Sequence, residues 1–371
     1  MKIAKLERIL SESKLFVKIT TDDGLFGLGE STLNTRSLPV DAVLADLEPV
    51  LVGQDPFRIE HIWQDVFRGT FWRGGPVLLS ALSGVDIALW DLKGKALNTP
   101  VYNLLGGACR DKMQVYCHVG GKTPDELLAN AEIKLKQGYK VLRICPHDAG
   151  GDVCFEPGEM ARRSVRFMKR LREGVGEDVE IIFEGHTRFT PTRAIEICNA
   201  IAEYRPLFAE DMLRADSPEM YRLLRDHTDV PLGTGEKFGA KWDYKYVIEN
   251  DLIDYLRTDL CSCGGITEAK KIAALGESHY MEMIPHGTAG AVGMLATLHL
   301  DLATPNFLMQ EYNYNPEKPA AFDYGIEFKD GYITLPDRPG LGVVMDETKT
   351  TAFRGFEHPH WRRVDGTVQD W

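Results

Sequence analysis

The sequence is short of several things, and each shortage removes a class of protein. Cysteine is scarce: seven in 371 residues, at 109, 117, 145, 154, 198, 261 and 263, an odd number with no CxxC pair. That argues against a disulfide framework and for reduced, buried thiols in a cytoplasmic protein. No stretch approaches the roughly 20 apolar residues of a transmembrane helix. The opening MKIAKLERILSESKLFVKITTDDG carries charges throughout and lacks the apolar core of a signal peptide. Positive charge is in deficit, with 43 Lys and Arg against 55 Asp and Glu and a net charge of -12. A nucleic-acid partner needs a basic stripe to displace counterions, and an anionic membrane surface repels such a chain, so neither is expected. The same balance makes an acidic substrate puzzling unless a bound cation inverts the local field. Neither GxSxG nor GxxxxGK[ST] occurs, which removes the serine-hydrolase and phosphate-loop patterns.

What is present is an ordinary globular mix, 44% hydrophobic, 26% charged and 9% aromatic, long enough for two domains or one large barrel with an accessory unit. The first ~110 residues read as strands, then helices. LFVKITTDDGLFGLGE alternates around a DG turn, the chemistry of a hairpin. VDAVLADLEPVL, IEHIWQDVFRG and VLLSALSGVDIALWDLKGKALN then have helical periodicity. From about residue 113 short apolar runs alternate with amphipathic segments. The runs are MQVYCHV, YKVLRIC, VEIIFEGH, PLFAEDM, VPLGTGE, DYLRTDL, YMEMIPH and FLMQEY, with seven helical stretches between them. Eight such units match a (β/α)8 barrel at its short end, or a modified barrel lacking one helix. The division read from this pattern is an α+β capping unit over 1–112, a barrel over 113–319, and a hairpin-like, turn-rich tail over 320–371. The tail is expected to pack back on the capping unit without extending the barrel.

Reactive groups of a barrel project from the carboxyl ends of its strands. Runs three to eight end on Glu184 with His186, Glu210 with Asp211, Glu236, Asp259, His286 and Glu311. Glu184, Glu210 and Glu236 are spaced 26 residues apart, one βα unit per step. Carboxylates at neighbouring strand ends converge and repel unless a hard cation sits between them, and Mg²⁺ suits oxygen ligands. Asp259 and His286 end adjacent strands, where the acid can orient the imidazole as a base. His186 lies two residues beyond Glu184, on the same strand face.

The segment RGGPVLLSALSGVDIALWDLKGKALNTPVYNLLGG at 73–107, the three glutamates, GGIT at 264–267 and IPHG around His286 together resemble the enolase superfamily, in its mandelate racemase-like acid-sugar dehydratase branch. The resemblance covers essentially the whole chain. It implies a modified TIM barrel, (β/α)7β, with an α+β capping domain built from the N-terminus and the tail. It also implies one Mg²⁺ per subunit and removal of the proton α to a carboxylate. Segment 73–121 is most similar to galactonate dehydratases, whereas EGHTRFTP, LIDYLRTD and the ending DGTVQDW are more similar to mannonate dehydratases. Mannonate-type enzymes pair an Arg on the second strand with a Tyr base. Arg143 matches that Arg, but CPHDAGGDVCFEPG has no Tyr. Asp259 and His286 match the His–Asp dyad of galactonate dehydratases, with His186 at the position of their acid and Arg143 in place of their Lys. Glu184 stands where the family usually has Asp.

The resemblance implies a small-molecule sugar acid as substrate, bound to Mg²⁺ through its carboxylate and 2-OH. His286, oriented by Asp259, takes the C2 proton, and His186 protonates the departing 3-OH to give a 2-keto-3-deoxy acid. Glu311 hydrogen-bonds a substrate carboxylate oxygen, for which it would need a proton of its own, favoured by burial. Arg143 clamps substrate oxygens, being a poor base. Trp72 and Arg73 close over the polyol from the capping unit, with the segment after Glu30 beside them, and His147 enters the site. Epimerisation, racemisation or cycloisomerisation on the same scaffold is the alternative reaction, and a non-catalytic regulatory role the alternative class. A homo-oligomer is expected from the resemblance.

Overall fold

A computed structural model of the chain describes residues 1–147, 156–287, 289–313, 315, 320–355 and 360–370. Cys154 and most of the loop after Cys145 lie outside these. Strands β1 (Ile3–Ser11), β2 (Lys14–Thr21) and β3 (Phe26–Glu30) form an antiparallel sheet. The Asp-Gly turn joins β2 to β3, and the Gly24 N–H donates to the Thr21 carbonyl at 3.0 Å. Helices α1 (Ser37–Leu51), α2 (Ile59–Arg68), α3 (Gly75–Ala96) and α4 (Val101–Leu104) follow. By length and composition α3 could cross a membrane, which the sequence reading did not anticipate. Its surroundings explain that composition: it is mostly buried, packed between the first sheet and the barrel, and a helix enclosed on all sides is apolar on all sides.

Eight strands then run parallel, alternating with seven helices. They are β4 (Met113–Val119), β5 (Val141–Ile144), β6 (Glu180–Glu184), β7 (Phe208–Glu210), β8 (Leu232–Thr234), β9 (Tyr255–Leu256), β10 (Glu282–Met283) and β11 (Gln310–Glu311). The helices are α5 (Pro124–Lys136), α6 (Pro157–Val175), α7 (Pro191–Ile201), α8 (Tyr221–Arg225), α9 (Lys241–Glu249), α10 (Gly265–Glu277) and α11 (Ala291–Leu302). Three of them begin with Pro, where its missing N–H costs nothing, and the Thr123 hydroxyl caps α5. Pairing runs in sequence order from β4 to β10, while β11 pairs with β4. A parallel bridge between Met283 and Phe307 links β10 to the run leading into β11. This is the modified (β/α)7β barrel with its α+β cap.

Strand alternation explains where the chemistry sits. The barrel interior is filled by Tyr116, Val141, Ile182, Phe208, Ile284 and Met309. Two residues beyond each, on the same face, stand His118, Arg143, Glu184, Glu210, His286 and Glu311. One apolar layer thus carries one ionisable layer directly above it.

Cap and barrel meet where α3 crosses the start of α10. Gly265 has φ +83°, and a Cβ there would lie 2.4 Å from Asp86 Oδ2, which accounts for the second glycine of GGIT. Asp86 accepts from the Thr267 amide at 3.0 Å and from its hydroxyl. Burial pushes Asp86 up to about 7 against those hydrogen bonds. A carboxyl whose folded value is raised gives stability that is complete below about 4 and lost as pH rises through the folded value. Asp86→Asn keeps the shape without the charge. Relative to the parent, it should gain on the order of a few kcal/mol between pH 4 and pH 8 in urea unfolding; parallel pH curves for the two proteins would disprove the assignment.

The tail contains β12 (Phe322–Tyr324), β13 (Glu327–Lys329), β14 (Tyr332–Thr334) and β15 (Val343–Met345). Much of it reaches the cap. Leu341 donates to Asp91 at 2.8 Å, Lys18 pairs with Glu347 at 2.6 Å, and Phe322 packs on Phe16. The expectation that it leaves the barrel sheet alone is corrected, because β14 pairs antiparallel with Met113 and Gln114 of β4. Those residues precede the parallel pairing, which starts at Val115 with β11 and Cys117 with β5. Their backbone groups therefore remain for the tail to satisfy.

Candidate active site

A cavity of about 680 Å³ opens at the carboxyl ends of the strands. His118, Arg143, His186, Glu236, Asp259, His286 and Glu311 line it from the barrel, and Ser13, Lys14, Thr32, Leu33 and Asn34 from the cap.

The clearest unit is a hydrogen-bonded dyad. His286 Nδ1 lies 2.6 Å from Asp259 Oδ2, and its Nε2 lies 3.2 Å from Glu236 Oε2. Burial opposes a charged imidazole, but Glu236, Glu311 and Asp259 outweigh it and raise His286 to about 10. A second imidazole, His186, lines the same cavity. Its backbone is left-handed at φ 52°, followed by Thr187 at φ 60°, a conformation that costs an ordinary residue about 1–3 kcal/mol and gathers at functional sites. The His186 amide donates to Glu184, and Cys145 Sγ stands 4.0 Å from its Nδ1.

Glu184 and Glu210 are register partners at the ends of β6 and β7, and Glu236 follows β8 by two residues. Arg143 reaches between the first two, its Nε 3.0 Å from Glu184 and 3.2 Å from Glu210. Burial works against that guanidinium, yet the two glutamates hold it well above its ordinary value. Arg143 is a fixed cation and not a base. Among the described residues, the three carboxylates that each bring an oxygen within 4.8 Å of the others are Glu210, Asp211 and Glu236. The expected trio of Glu184, Glu210 and Glu236 therefore differs from this group by one member: Glu184 is engaged by Arg143 and by the His186 amide, and Asp211, left-handed at φ 43°, stands in the group instead. Asp211 is fully buried. One of its oxygens accepts from Thr234, and the other has no hydrogen-bond partner. Burial, with Glu236 and Glu210 close by, pushes it up to about 7. Convergent carboxylate oxygens with one buried oxygen left unpaired form a donor set that fits a hard divalent cation.

Three expectations change. Glu311 needs no proton, because it accepts from His118, from Arg257 at 2.6 Å, from the Gly287 amide at 3.1 Å and from Tyr116 at 3.3 Å. Burial alone would raise it, but His118 and Arg257 hold it well below the carboxylate range. Trp72 and Arg73 do not reach the cavity. Trp72 is 80% exposed, and Arg73 lies over the Phe67 ring in a separate cleft beside Trp242, since the link from α2 to α3 sits off to the side of the barrel mouth. His147 is buried behind the cavity wall, 3.3 Å from Cys145 Sγ and edge-on to Phe189.

Two residues were missed. Arg257 is fully buried, paired to Glu210 on one side and Glu311 on the other. It lies two positions before Asp259, in the motif LIDYLRTD, so its strand parity was the available signal. His118 is the penultimate residue of the first barrel strand, outside runs three to eight. Replacing Arg257 with Met should cost about 3–5 kcal/mol in urea unfolding, because it strands two buried carboxylates; a loss below 1 kcal/mol would show that the pairs add little.

Comparison with known proteins places this constellation. Residues 7–106 match the mandelate racemase / muconate lactonizing enzyme N-terminal domain, and residues 126–349 match the enolase C-terminal domain-like family. The chain belongs to the enolase superfamily, in its mandelate racemase-like branch. It is 38% identical over 383 residues to a D-mannonate dehydratase of Caulobacter sp. (strain K31), covering 96% of this chain and 95% of that one. It is 36% identical over 384 residues to a D-galactonate dehydratase of Cronobacter sakazakii, covering all of both. An enolase from Pantoea ananatis, solved with bound D-gluconate and Mg, superposes with a TM-score of 0.93 at 34% identity over 99% of each chain.

Proposed function

We propose that this enolase-superfamily enzyme is a hydro-lyase that removes water from a sugar acid of the aldonate class, giving a 2-keto-3-deoxy acid. The Asp259–His286 hydrogen bond, opening on the cavity that also holds His186 and Glu236, carries the reading. Full-length relatives named as D-mannonate and D-galactonate dehydratases support it. His286, its Nδ1 fixed on Asp259, presents Nε2 toward the cavity beside Glu236; with Glu236 offset by a cation, the ring is no longer kept protonated by that carboxylate, and the neutral Nε2 then removes the proton at C2. His186 delivers a proton to the departing 3-hydroxyl, which leaves as water, and the resulting enol takes a proton from solvent at C3 to become the 2-keto-3-deoxy acid. Arg143, locked as a cation, orients substrate oxygens and cannot serve as a second base, which favours dehydration over racemisation. Glu210, Glu236 and Asp211, with Glu184 once released from Arg143, would hold Mg²⁺. When bound, that ion supplies Lewis-acid stabilisation of charge building on the substrate carboxylate.

A panel of aldonates and aldarates, incubated with Mg²⁺ in D₂O and followed by ¹H NMR, tests the reaction. A 3-deoxy C3 signal carrying one solvent deuterium (CHD) is expected for at least one aldonate. Exchange at C2 without loss of water would make the protein an epimerase or racemase. Inert substrates with Mg²⁺ binding intact would favour a non-catalytic role.

A further inference from the structure

A second carboxylate, on the cap, touches the machinery without facing the cavity. Glu30 ends β3 and is fully buried. Its Oε1 accepts from the Gly290 amide at 2.6 Å and from the Thr32 hydroxyl at 2.7 Å, and its Oε2 accepts from the Gly293 amide at 2.9 Å. Gly290 and Gly293 open α11, whose N-cap residue, Gly290, has no side chain with which to cap it. An acid from the other domain therefore satisfies the free amides and the positive end of the helix dipole. Thr32 in turn accepts from the Leu15 amide at 3.2 Å, and Ser31 donates to the Leu15 carbonyl at 2.8 Å.

Both ends of this relay reach the cavity wall. On the barrel side, Ala289 lines the cavity just before Gly290, and His286 lies four residues upstream of it. The Pro285 carbonyl is held by Gln310, the His286 amide by the Thr258 carbonyl and the Gly287 amide by Glu311, and Glu30 adds a fastening from the cap to the segment that carries the base. On the cap side, Ser13, Lys14, Thr32, Leu33 and Asn34 all line the cavity, and the Leu15–Thr32 contact joins the two segments that carry them. A Cβ on Gly290 would lie 2.9 Å from Glu30 Oε2, so the clamp has no slack.

We propose that Glu30 is a positioning residue, one carboxylate setting the base-bearing segment of the barrel against the substrate-facing segments of the cap. The kinetic part rests on the dehydratase reading above. The clamp fixes two quantities through different hydrogen bonds: the placement of His286, which governs kcat, and the cap wall, which governs KM. A misplacement of about 1 Å can cost on the order of 100-fold.

Amide hydrogen–deuterium exchange with mass spectrometry tests the clamp without any substrate. Glu30→Gln keeps the side-chain shape and turns an NH₂ toward an amide donor. It should deprotect residues 289–293 and, in parallel, residues 13–15 and 31–34. Loss confined to 289–293 would reduce Glu30 to a local helix cap and overturn the proposal, as would no loss at all. Two milder variants divide the kinetics on an aldonate that the parent dehydrates. Thr32→Val cuts the cap arm and should raise KM roughly fivefold to tenfold with kcat within about threefold. Gly290→Ala crowds the barrel arm and should lower kcat about tenfold or more with KM nearly unchanged. Equal movement of both parameters in both variants, as a change in folded fraction produces, would also overturn it. If the parent turns over no sugar acid, the dehydratase reading fails, and the exchange pattern still decides the clamp.

Discussion

His286→Asn should lower kcat by about 10²–10⁴-fold, the usual contribution of a positioned general base, and should abolish exchange of the substrate C2 proton with solvent deuterium. Asn keeps a polar group near Asp259 and Glu236, so the fold and the affinity for Mg²⁺ are expected to survive. The prediction rests on which ring atom is free. Nδ1 is committed to Asp259 at 2.6 Å, which fixes the tautomer and leaves Nε2 facing the cavity beside Glu236. Asp259→Asn should reproduce part of the loss through a wrong tautomer, without removing the base itself. A His286→Asn protein that still exchanged the C2 proton at the parental rate would remove His286 from the reaction, and His186 would then have to act as the base.

The barrel was legible in the sequence because its signal repeats: eight apolar runs, six of them closed by an ionisable residue, survive even where a strand shortens to two residues, as β9 to β11 do. The ionisable ends of runs three to eight were legible for the same reason. Arg257 was not, because attention to the last residue of a run passes over the one two positions earlier on the same face, and nothing local announces that it bridges Glu210 and Glu311. The charge state of Glu311 depends on four donors drawn from β4, β9 and the segment after β10, which burial read from sequence does not reveal. Trp72 and Arg73 failed for a different reason. Where a cap rests on a barrel is fixed by contacts such as Asp86 with Thr267 and Glu30 with Gly290, each joining residues about 180 or more positions apart. The α2–α3 link carries no mark of which side of the mouth it will occupy.

Removal of divalent cations should stop turnover, with a loss of at least about 10³-fold, since Lewis-acid stabilisation is worth several kcal/mol and each 1.36 kcal/mol is a factor of ten. Convergent carboxylate oxygens at the barrel mouth, one of them buried without a hydrogen-bond partner, support this expectation. Glu184, Glu210, Asp211, Glu236, Asp259 and Glu311 converge there, countered by the guanidiniums of Arg143 and Arg257 and by His286, with Lys14 and Lys237 at the cavity wall. The whole chain is itself net negative by 12, so an anionic substrate would enter a repulsive field unless a cation offset it. The same ion should stabilise the fold. At about 100 times its dissociation constant, a ligand that binds only the native state contributes about 2.7 kcal/mol, visible as a higher Tm on adding Mg²⁺ to chelator-treated protein. Glu236→Gln should lose both the activity and the Tm response. Arg143→Met should weaken activity yet strengthen the Tm response, because it frees Glu184 to join Glu210, Asp211 and Glu236. Full turnover in excess chelator, or a Tm indifferent to Mg²⁺ in the parent protein, would leave the convergent carboxylates without a cation to serve.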